Sequence, residues 1–256
     1  MHYTIIIPAR YASSRFPGKP LADIAGRPMV VRVAEQAAKT GADVIVATDH
    51  KGIAGVVREH GYEAVMTKTN HATGTDRLAE VVTRKRFDAK HIVVNVQGDE
   101  PLIPPMLIKR VAQSLADHTS ASIATACHPI TGIHEFTNPN VVKVVLDNAG
   151  YALYFSRAMI PHARDAFAKG MPKSLPANMP VYRHLGIYAY RCGFLKAFRK
   201  MRPAAIEQCE ALEQLRAMAH GHRISVAITR AAPHPGVDTP DDLVRIRRLL
   251  HARRRQ

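Results

Sequence analysis

Residues 3–21 read Tyr-Thr-Ile-Ile-Ile-Pro-Ala-Arg-Tyr-Ala-Ser-Ser-Arg-Phe-Pro-Gly-Lys-Pro-Leu, a β-branched apolar run that feeds straight into a long polar loop. Tyr3 to Pro8 reads as the first strand, and the later run His91 to Val96, strongly apolar with no clear alternation, needs cover on both faces, as in a parallel sheet sheathed by helices. Ligands of such sheets bind beyond the carboxyl ends of the strands, where helix N-termini turn their positive dipoles outward. The loop from Ala9 to Leu21 lies at such an end and carries Arg10, Arg15 and Lys19, the hydroxyls of Ser13 and Ser14, and Gly18. Free backbone amides beside three cations suit a phosphate chain. It is not a Walker A loop, because Lys19 is followed by proline and residues 11–16 contain no glycine. By composition alone an exposed basic turn fits the loop equally well.

The same pattern of short β-branched run, polar punctuation and helically spaced apolar stretch recurs downstream. It predicts strands at Val44–Thr48, Ala64–Met66 and His91–Val96, with helices near Met29–Lys39, Ile53–His60 and Leu78–Arg84. A helix from Pro104 to Asp117 and a strand at Ser122–Ala126 extend it. Val141–Leu146 and Ala152–Phe155 instead read as antiparallel ribbon strands around Asn148-Ala149-Gly150. The proline-containing stretch Ala163–Pro180 reads as a mobile surface loop. Order resumes with a strand at Leu185–Tyr190, helices at Phe194–Met201 and Ile206–His220, a strand at Arg223–Ile228 and a last helix from Asp241. The expected architecture is α/β, a mostly parallel Rossmann-like sheet flanked by helices with a smaller antiparallel ribbon. One domain over residues 1–256 is expected, with the ribbon and loop inserted at about 136–190.

The 256 residues carry 36 basic and 21 acidic side chains, a net charge of +15 with histidine neutral. Six arginines lie between Arg245 and Arg255, and about +9 remains without them, so the excess is spread and calls for an anionic partner. Acidic small substrates satisfy it as well as nucleic acid does. Only 6% of residues are aromatic and no nucleic-acid recognition motif is present, which argues against a dedicated nucleic-acid binder. No apolar run approaches the roughly 20 residues of a membrane span, nor does the N-terminus resemble a signal peptide, so no membrane insertion and a cytoplasmic location are expected. Cys127, Cys192 and Cys209 are widely spaced and read as buried, unpaired thiols. The 14 histidines are scattered, with His60, His118 and His220 near helix ends on the surface.

Asp99, in Gln97-Gly98-Asp99-Glu100-Pro101, follows the most apolar strand and should emerge beside the N-terminal loop, although Gly-Asp-Glu-Pro is also ordinary turn chemistry. Asp238-Thr239-Pro240-Asp241-Asp242 precedes the last helix, where Asp241 and Asp242 read as first-turn acids favouring the helix dipole. Asp238 reads locally as a helix cap. Thr73 or Thr75 likewise reads as a cap for a helix starting near Arg77.

Together these blocks resemble the CMP-sugar synthetases, and among them the enzymes acting on 3-deoxy-manno-octulosonate (Kdo). The resemblance rests on residues 6–10 and 15–21, Ala47-Thr48-Asp49-His50, Thr73-Gly74-Thr75-Asp76-Arg77, residues 94–101, Asn138-Pro139-Asn140, Tyr154-Phe155-Ser156-Arg157, His184-Leu185-Gly186-Ile187-Tyr188, Glu213-Gln214-Leu215-Arg216 and residues 236–240. It implies a Mg²⁺-dependent transfer of CMP from CTP to Kdo, with Arg10, Lys19, Asp99 and Asp238 at the chemical centre and the two aspartates as metal ligands. It further implies nucleotide contacts from Ala9, Arg10, Ser13, Arg15, Lys19, Thr73, Thr75 and Arg77. Gln97, Arg157, His184, Tyr188 and Glu210 are implied around the sugar. Without the resemblance, Glu207, Glu210 and Glu213 read as a solvated charge row on one helix, and Tyr188 as core. A homodimer built on the Val141–Arg157 ribbon, and a place in lipopolysaccharide synthesis, are also implied.

Overall fold

The computed structural model describes residues 1–12, 16–71, 73–168, 170–230 and 232–253. Four parallel strands form one half of the sheet: β1 (Tyr3–Ala9), β2 (Asp43–Thr48), β3 (Glu63–Met66) and β4 (Ile92–Asn95). Beyond β4 the order continues through β8 (Tyr182–Arg191), β5 (Ala121–Pro129) and β9 (Arg223–Ile228), so the sheet reads β3-β2-β1-β4-β8-β5-β9. β8 is antiparallel to both neighbours, whereas β9 runs parallel to β5. A ribbon of β6 (Lys143–Leu146) and β7 (Ala152–Ser156) joins through β6 to β8.

The strand that set the fold places its side chains as the two-residue period requires. Ile5 and Ile7 enter one core with α1 (Met29–Ala38), α2 (Lys51–Glu59) and α4 (Pro105–Asp117). Ile6 enters the opposite core with α3 (Gly74–Arg84), α6 (Cys192–Phe198) and α8 (Gln214–Ala219). All three isoleucines are fully buried, each such side chain contributing roughly 1.5–3 kcal/mol. A third, smaller cluster packs α9 (Pro240–Arg253), through Leu243 and Ile246, against Ile24 and Met29. That contact brings the end of the chain back beside the N-terminal loop.

Five expectations are revised. The expected helix from Ile206 to His220 is two short helices, α7 (Ala205–Glu210) and α8, broken at Ala211, whose φ of 51° is left-handed. The break turns the three glutamates apart, so there is no solvated charge row: Glu207 pairs with Arg216, Glu210 turns to the ribbon, and Glu213 is held by Thr75. β8 is ten residues long and begins at Tyr182, its polar Arg183 and His184 having hidden the strand's start from an apolar pattern. The stretch 163–180 is not merely a surface loop, because Phe167 is buried against Phe136 beside the short helix α5 (Ile133–Thr137). Finally, Cys127 and Cys192 are buried, but Cys209 is exposed.

Candidate active site

The carboxyl ends of β1 and β4 are pressed together. A Cβ on Gly98 would lie 2.7 Å from the carbonyl oxygen of Pro8, closer than real Cβ atoms come. Only glycine lets the chain leaving β4 pass over β1 and deliver Asp99 to the loop. That approach is secured from the far end of the chain, since the amide of Val237 donates to the carbonyl of Asp99 at 2.8 Å. Gly236 permits it, with a Cβ there meeting the same oxygen at 3.1 Å.

Lys19 begins a single 3₁₀ turn after Gly18, which has a positive φ of 70°. Its Nζ lies 2.7 Å from Asp99 Oδ2 and 3.5 Å from Asp238 Oδ1, and donates to the carbonyl of Val237 at 2.8 Å. Those two carboxylate oxygens therefore lie no more than 6.2 Å apart. Asp238 is not the cap of α9. Thr239 takes that place, its hydroxyl accepting from the Asp242 amide at 3.2 Å, while Asp242 Oδ2 accepts from the amides of Asp238 and Thr239, each at 3.0 Å. The side chain of Asp238, half exposed, faces Lys19 instead. Burial, and then the neighbouring Asp99 carboxylate, push the Glu100 carboxyl up to about 7.

These groups open on a cleft of 440 Å³ lined by Pro8, Ala9, Arg10, Lys19, Pro20, His71, Thr73, Gly74, Arg77, Gln97, Gly98, Asp99 and Asp238. Eight residues singled out from the sequence meet here: Ala9, Arg10, Lys19, Thr73, Arg77, Gln97, Asp99 and Asp238. Ser13 and Arg15 lie outside the described residues. Arg10 is exposed at the rim. Thr73 caps α3 by accepting from the Asp76 amide at 3.2 Å, and the helix starts at Gly74 rather than near Arg77. Arg77 is 3% exposed and held rigidly, donating to Asp49 Oδ2 at 2.7 Å and to Thr67 Oγ1.

The remaining sequence candidates lie away from this lining. Thr75 is buried and donates to Glu213 Oε2 at 2.7 Å. It shares a separate cavity of only 30 Å³ with Tyr188, Tyr190 and Glu213. Burial, followed by Tyr190 and Glu213, raises the Tyr188 phenol well above its ordinary value. His184 Nε2 lies 2.9 Å from the Thr125 hydroxyl, and burial pushes the imidazole down to about 3, so the ring is neutral. Glu210 accepts from Ser156 Oγ at 2.5 Å and from the Arg157 amide at 2.9 Å. The guanidinium of Arg157 donates to the carbonyls of Glu210 at 2.8 Å and Pro139 at 3.2 Å. A larger open depression, 660 Å³, lies between Lys196 and His220, but it brings cationic side chains and an exposed surface rather than opposed charges.

One residue of the cleft was not singled out from the sequence, and a second residue behind it was quoted there only within a matching block. His71 forms part of its wall, and its Nε2 is hydrogen-bonded to Glu80. Asp49 fixes Arg77 from the end of β2. The available signal for the first was a glutamate among the apolar residues of α3, since a buried carboxylate needs a partner.

Two converging carboxylates fit a hard divalent ion such as magnesium, which uses one or two protein carboxylates and takes water and phosphate oxygens for the rest. Among the described residues no group of three or more His, Cys, Asp or Glu is placed to hold a metal by itself. Cations and carboxylates gathered at the carboxyl end of a parallel sheet define a nucleotide-dependent group-transfer protein. The chain belongs to the cytidylyltransferase family, whose sequence pattern it matches over residues 4–224. It is similar to a solved CMP:2-keto-3-deoxy-manno-octonic acid synthetase complexed with CTP, at 40% identity and a TM-score of 0.89, over 99% of this chain and 100% of that one. A 4-diphosphocytidyl-2C-methyl-D-erythritol synthase from Anaerococcus prevotii DSM 20548 shares the fold, at 11% identity and a TM-score of 0.60, over 98% of this chain and 99% of that one.

Proposed function

We propose that this cytidylyltransferase moves CMP from CTP to the anomeric hydroxyl of Kdo, releasing pyrophosphate. The carrying observation is the meeting of Lys19, Asp99 and Asp238 in one cleft, in a chain 40% identical to a synthetase of that sugar acid. The reaction is an in-line displacement at the α-phosphorus, governed by positioning and charge neutralisation. Lys19, held by carboxylates and the Val237 carbonyl, presents a fixed positive charge to the triphosphate. Arg10 adds a second from the rim. Asp99 and Asp238 would hold Mg²⁺, which when bound neutralises phosphate charge and lowers the pKa of a coordinated hydroxyl.

We assign the sugar to Gln97 in the cleft and, beyond that lining, to Arg157 at the end of the ribbon, His184 and Tyr188 on β8, and Glu210 on α7. Nε and Nη1 of Arg157 are engaged by backbone carbonyls, which leaves Nη2 for the sugar's carboxylate. Two copies associate through the β6–β7 ribbon, where Leu153 is 59% exposed. The protein acts in the cytoplasm, supplying activated Kdo for lipopolysaccharide; no described helix is long and apolar enough to cross a membrane.

Pyrophosphate release with CTP and Mg²⁺ is expected to be faster with Kdo than with N-acetylneuraminate. The reverse order would make the chain a synthetase of the sialic acid type. No release with either sugar would remove the reading altogether.

A further inference from the structure

We propose that His50 is a positioning residue for the N-terminal loop, its imidazole serving as the platform on which Tyr11 stacks to hold that loop beside the cleft. The inference rests on the reading of the loop as the triphosphate's binding segment, and it concerns how the loop is held rather than what it touches. Neither Tyr11 nor His50 belongs to the cleft's lining, whereas Arg10, next to Tyr11, and Lys19, next to Gly18, both do.

Tyr11 gathers the two ends of the loop. Its carbonyl accepts from the Gly18 amide at 3.2 Å. A Cβ on Gly18, whose φ is 70°, would lie 3.7 Å from the Tyr11 ring, so the ring rests against the turn that leads into Lys19. Although Tyr11 is 43% exposed, its ring is stacked on that of His50, with centroids 4.2 Å apart and planes 16° from parallel.

His50 belongs to a different connection, the step from β2 into α2, and it is firmly seated there. Its amide donates to Thr48 Oγ1 at 3.2 Å, and its carbonyl accepts from the Ala54 amide at 3.1 Å. A Cβ on Gly52 would come within 3.0 Å of the imidazole Cε1, so the ring is pressed against the first turn of α2. Nδ1 is buried and has no hydrogen-bond partner among the described residues. The ring is thus set by packing, and what it offers Tyr11 is a flat face. Aromatic stacking of this kind is strong enough to shift the balance between held and released loop by about two- to tenfold. A nucleotide that binds the held form alone is weakened in proportion to the fraction released.

The test joins two measurements on the full-length protein. One is limited trypsinolysis without ligand, with cleavage after Arg15 followed by mass spectrometry, because such cleavage tracks the population of the open form. The other is KM for CTP and for Kdo, from pyrophosphate release with Mg²⁺. His50→Ala is expected to speed the cleavage and to raise KM for CTP, each by about two- to tenfold, while KM for Kdo stays near the wild-type value. His50→Phe keeps a ring at this place and is expected to restore both, which a role through imidazole proton chemistry would not allow. Tyr11→Ala combined with His50→Ala is expected to be no worse than either alone, as for a single shared contact. A folded His50→Ala protein in which either the cleavage rate or KM for CTP is that of the wild type overturns the inference, and so do two substitutions whose effects simply add. If His50→Ala does not fold, Tyr11→Ala is read by the same two measurements: wild-type values for either overturn it. Faster cleavage in the variant of a protein that releases no pyrophosphate from CTP supports the stack as the loop's anchor and overturns the functional reading instead.

Discussion

Lys19 and Asp99 are separated by 80 positions in the chain, yet Nζ and Oδ2 stand 2.7 Å apart. The contact joins the loop after β1 to the loop after β4, and it holds the ammonium in the cleft proposed to take the triphosphate. Removing one such preorganised charge costs on the order of 10²–10³ in rate. Lys19→Ala is therefore expected to lose that much kcat at saturating CTP and Kdo. Near-normal turnover in a pyrophosphate-release assay would take Lys19 out of the mechanism.

Gly98 sets how closely the two loops approach. Because a Cβ at this position would stand 2.7 Å from the Pro8 carbonyl oxygen, Gly98→Ala must push β1 and β4 apart at their carboxyl ends. Overpacking of this kind costs typically about 1–3 kcal/mol. A lowered melting temperature is expected, together with a fall in kcat as Asp99 is carried away from Lys19. An alanine variant with unchanged stability and rate would show that the approach has slack.

Asp99 and Asp238 differ in their surroundings, and their variants should differ too. Asp99 is tied at its backbone to Val237 and sits closer to Lys19, whereas Asp238 is half exposed and farther from it. For both Asp99→Asn and Asp238→Asn, the magnesium concentration giving half-maximal rate is expected to rise, by roughly tenfold or more, because each would lose one of the two charged ligands proposed for the ion. The larger rise is expected for Asp99, the more firmly positioned of the two. Activity titrated against Mg²⁺ measures it. An Asp238→Asn protein with the wild-type magnesium curve would leave Asp99 as the single protein ligand.

How much of this could be read from sequence depended on the range of the interaction. β1, β2 and the helices that follow them carry their own apolar patterns, so their existence and order were legible. Arg10, Lys19 and Asp99 were legible because a strand end and a charge suffice to place them. Asp238 was ambiguous, since capping by Thr239 and Asp242 rather than by Asp238 is decided by side-chain geometry. The break at Ala211 has no glycine or proline to announce it, and the partners that separate Glu207, Glu210 and Glu213 come from three different elements. β8 reaches the middle of the sheet because β4 and β5, successive strands in the chain, stand apart and take it between them.

Glu207 gives a pH dependence with a defined sign. The Arg216 side chain, 2.5 Å away, is the main reason that its carboxyl titrates below its ordinary value, outweighing burial together with the Ala204 amide. A carboxyl depressed in the folded state contributes stability that is present above its unfolded pKa of about 4.3 and lost as pH falls through the folded value. Glu207→Gln is expected to lower the melting temperature near neutral pH and to narrow its gap from the wild type as the solution is acidified below about pH 4.3. A gap that stays constant with pH would mean that the pair contributes through shape alone.

Lys143 ties the ribbon to the proposed sugar side. It is fully buried, and its ammonium donates to the carbonyls of Val141 and Arg157, each at 2.6 Å, and of Asn138 at 3.1 Å. Burial, against the pull of Glu210, lowers the pKa of this amine. The carbonyls of Val141 and Arg157 thus depend on one side chain, whereas that of the exposed Asn138 also accepts from the Val141 amide at 3.1 Å; Arg157 is the residue assigned to the sugar's carboxylate. Lys143→Met keeps the length and removes the donors, leaving buried acceptors that cost about 1–3 kcal/mol each when unpaired. The melting temperature is expected to fall, and KM for Kdo to rise while KM for CTP stays near the wild-type value, because the nucleotide cleft draws on β1, β4 and α3 rather than on the ribbon. A variant in which both KM values rise together would instead place the ribbon's influence on the whole sheet, through β8.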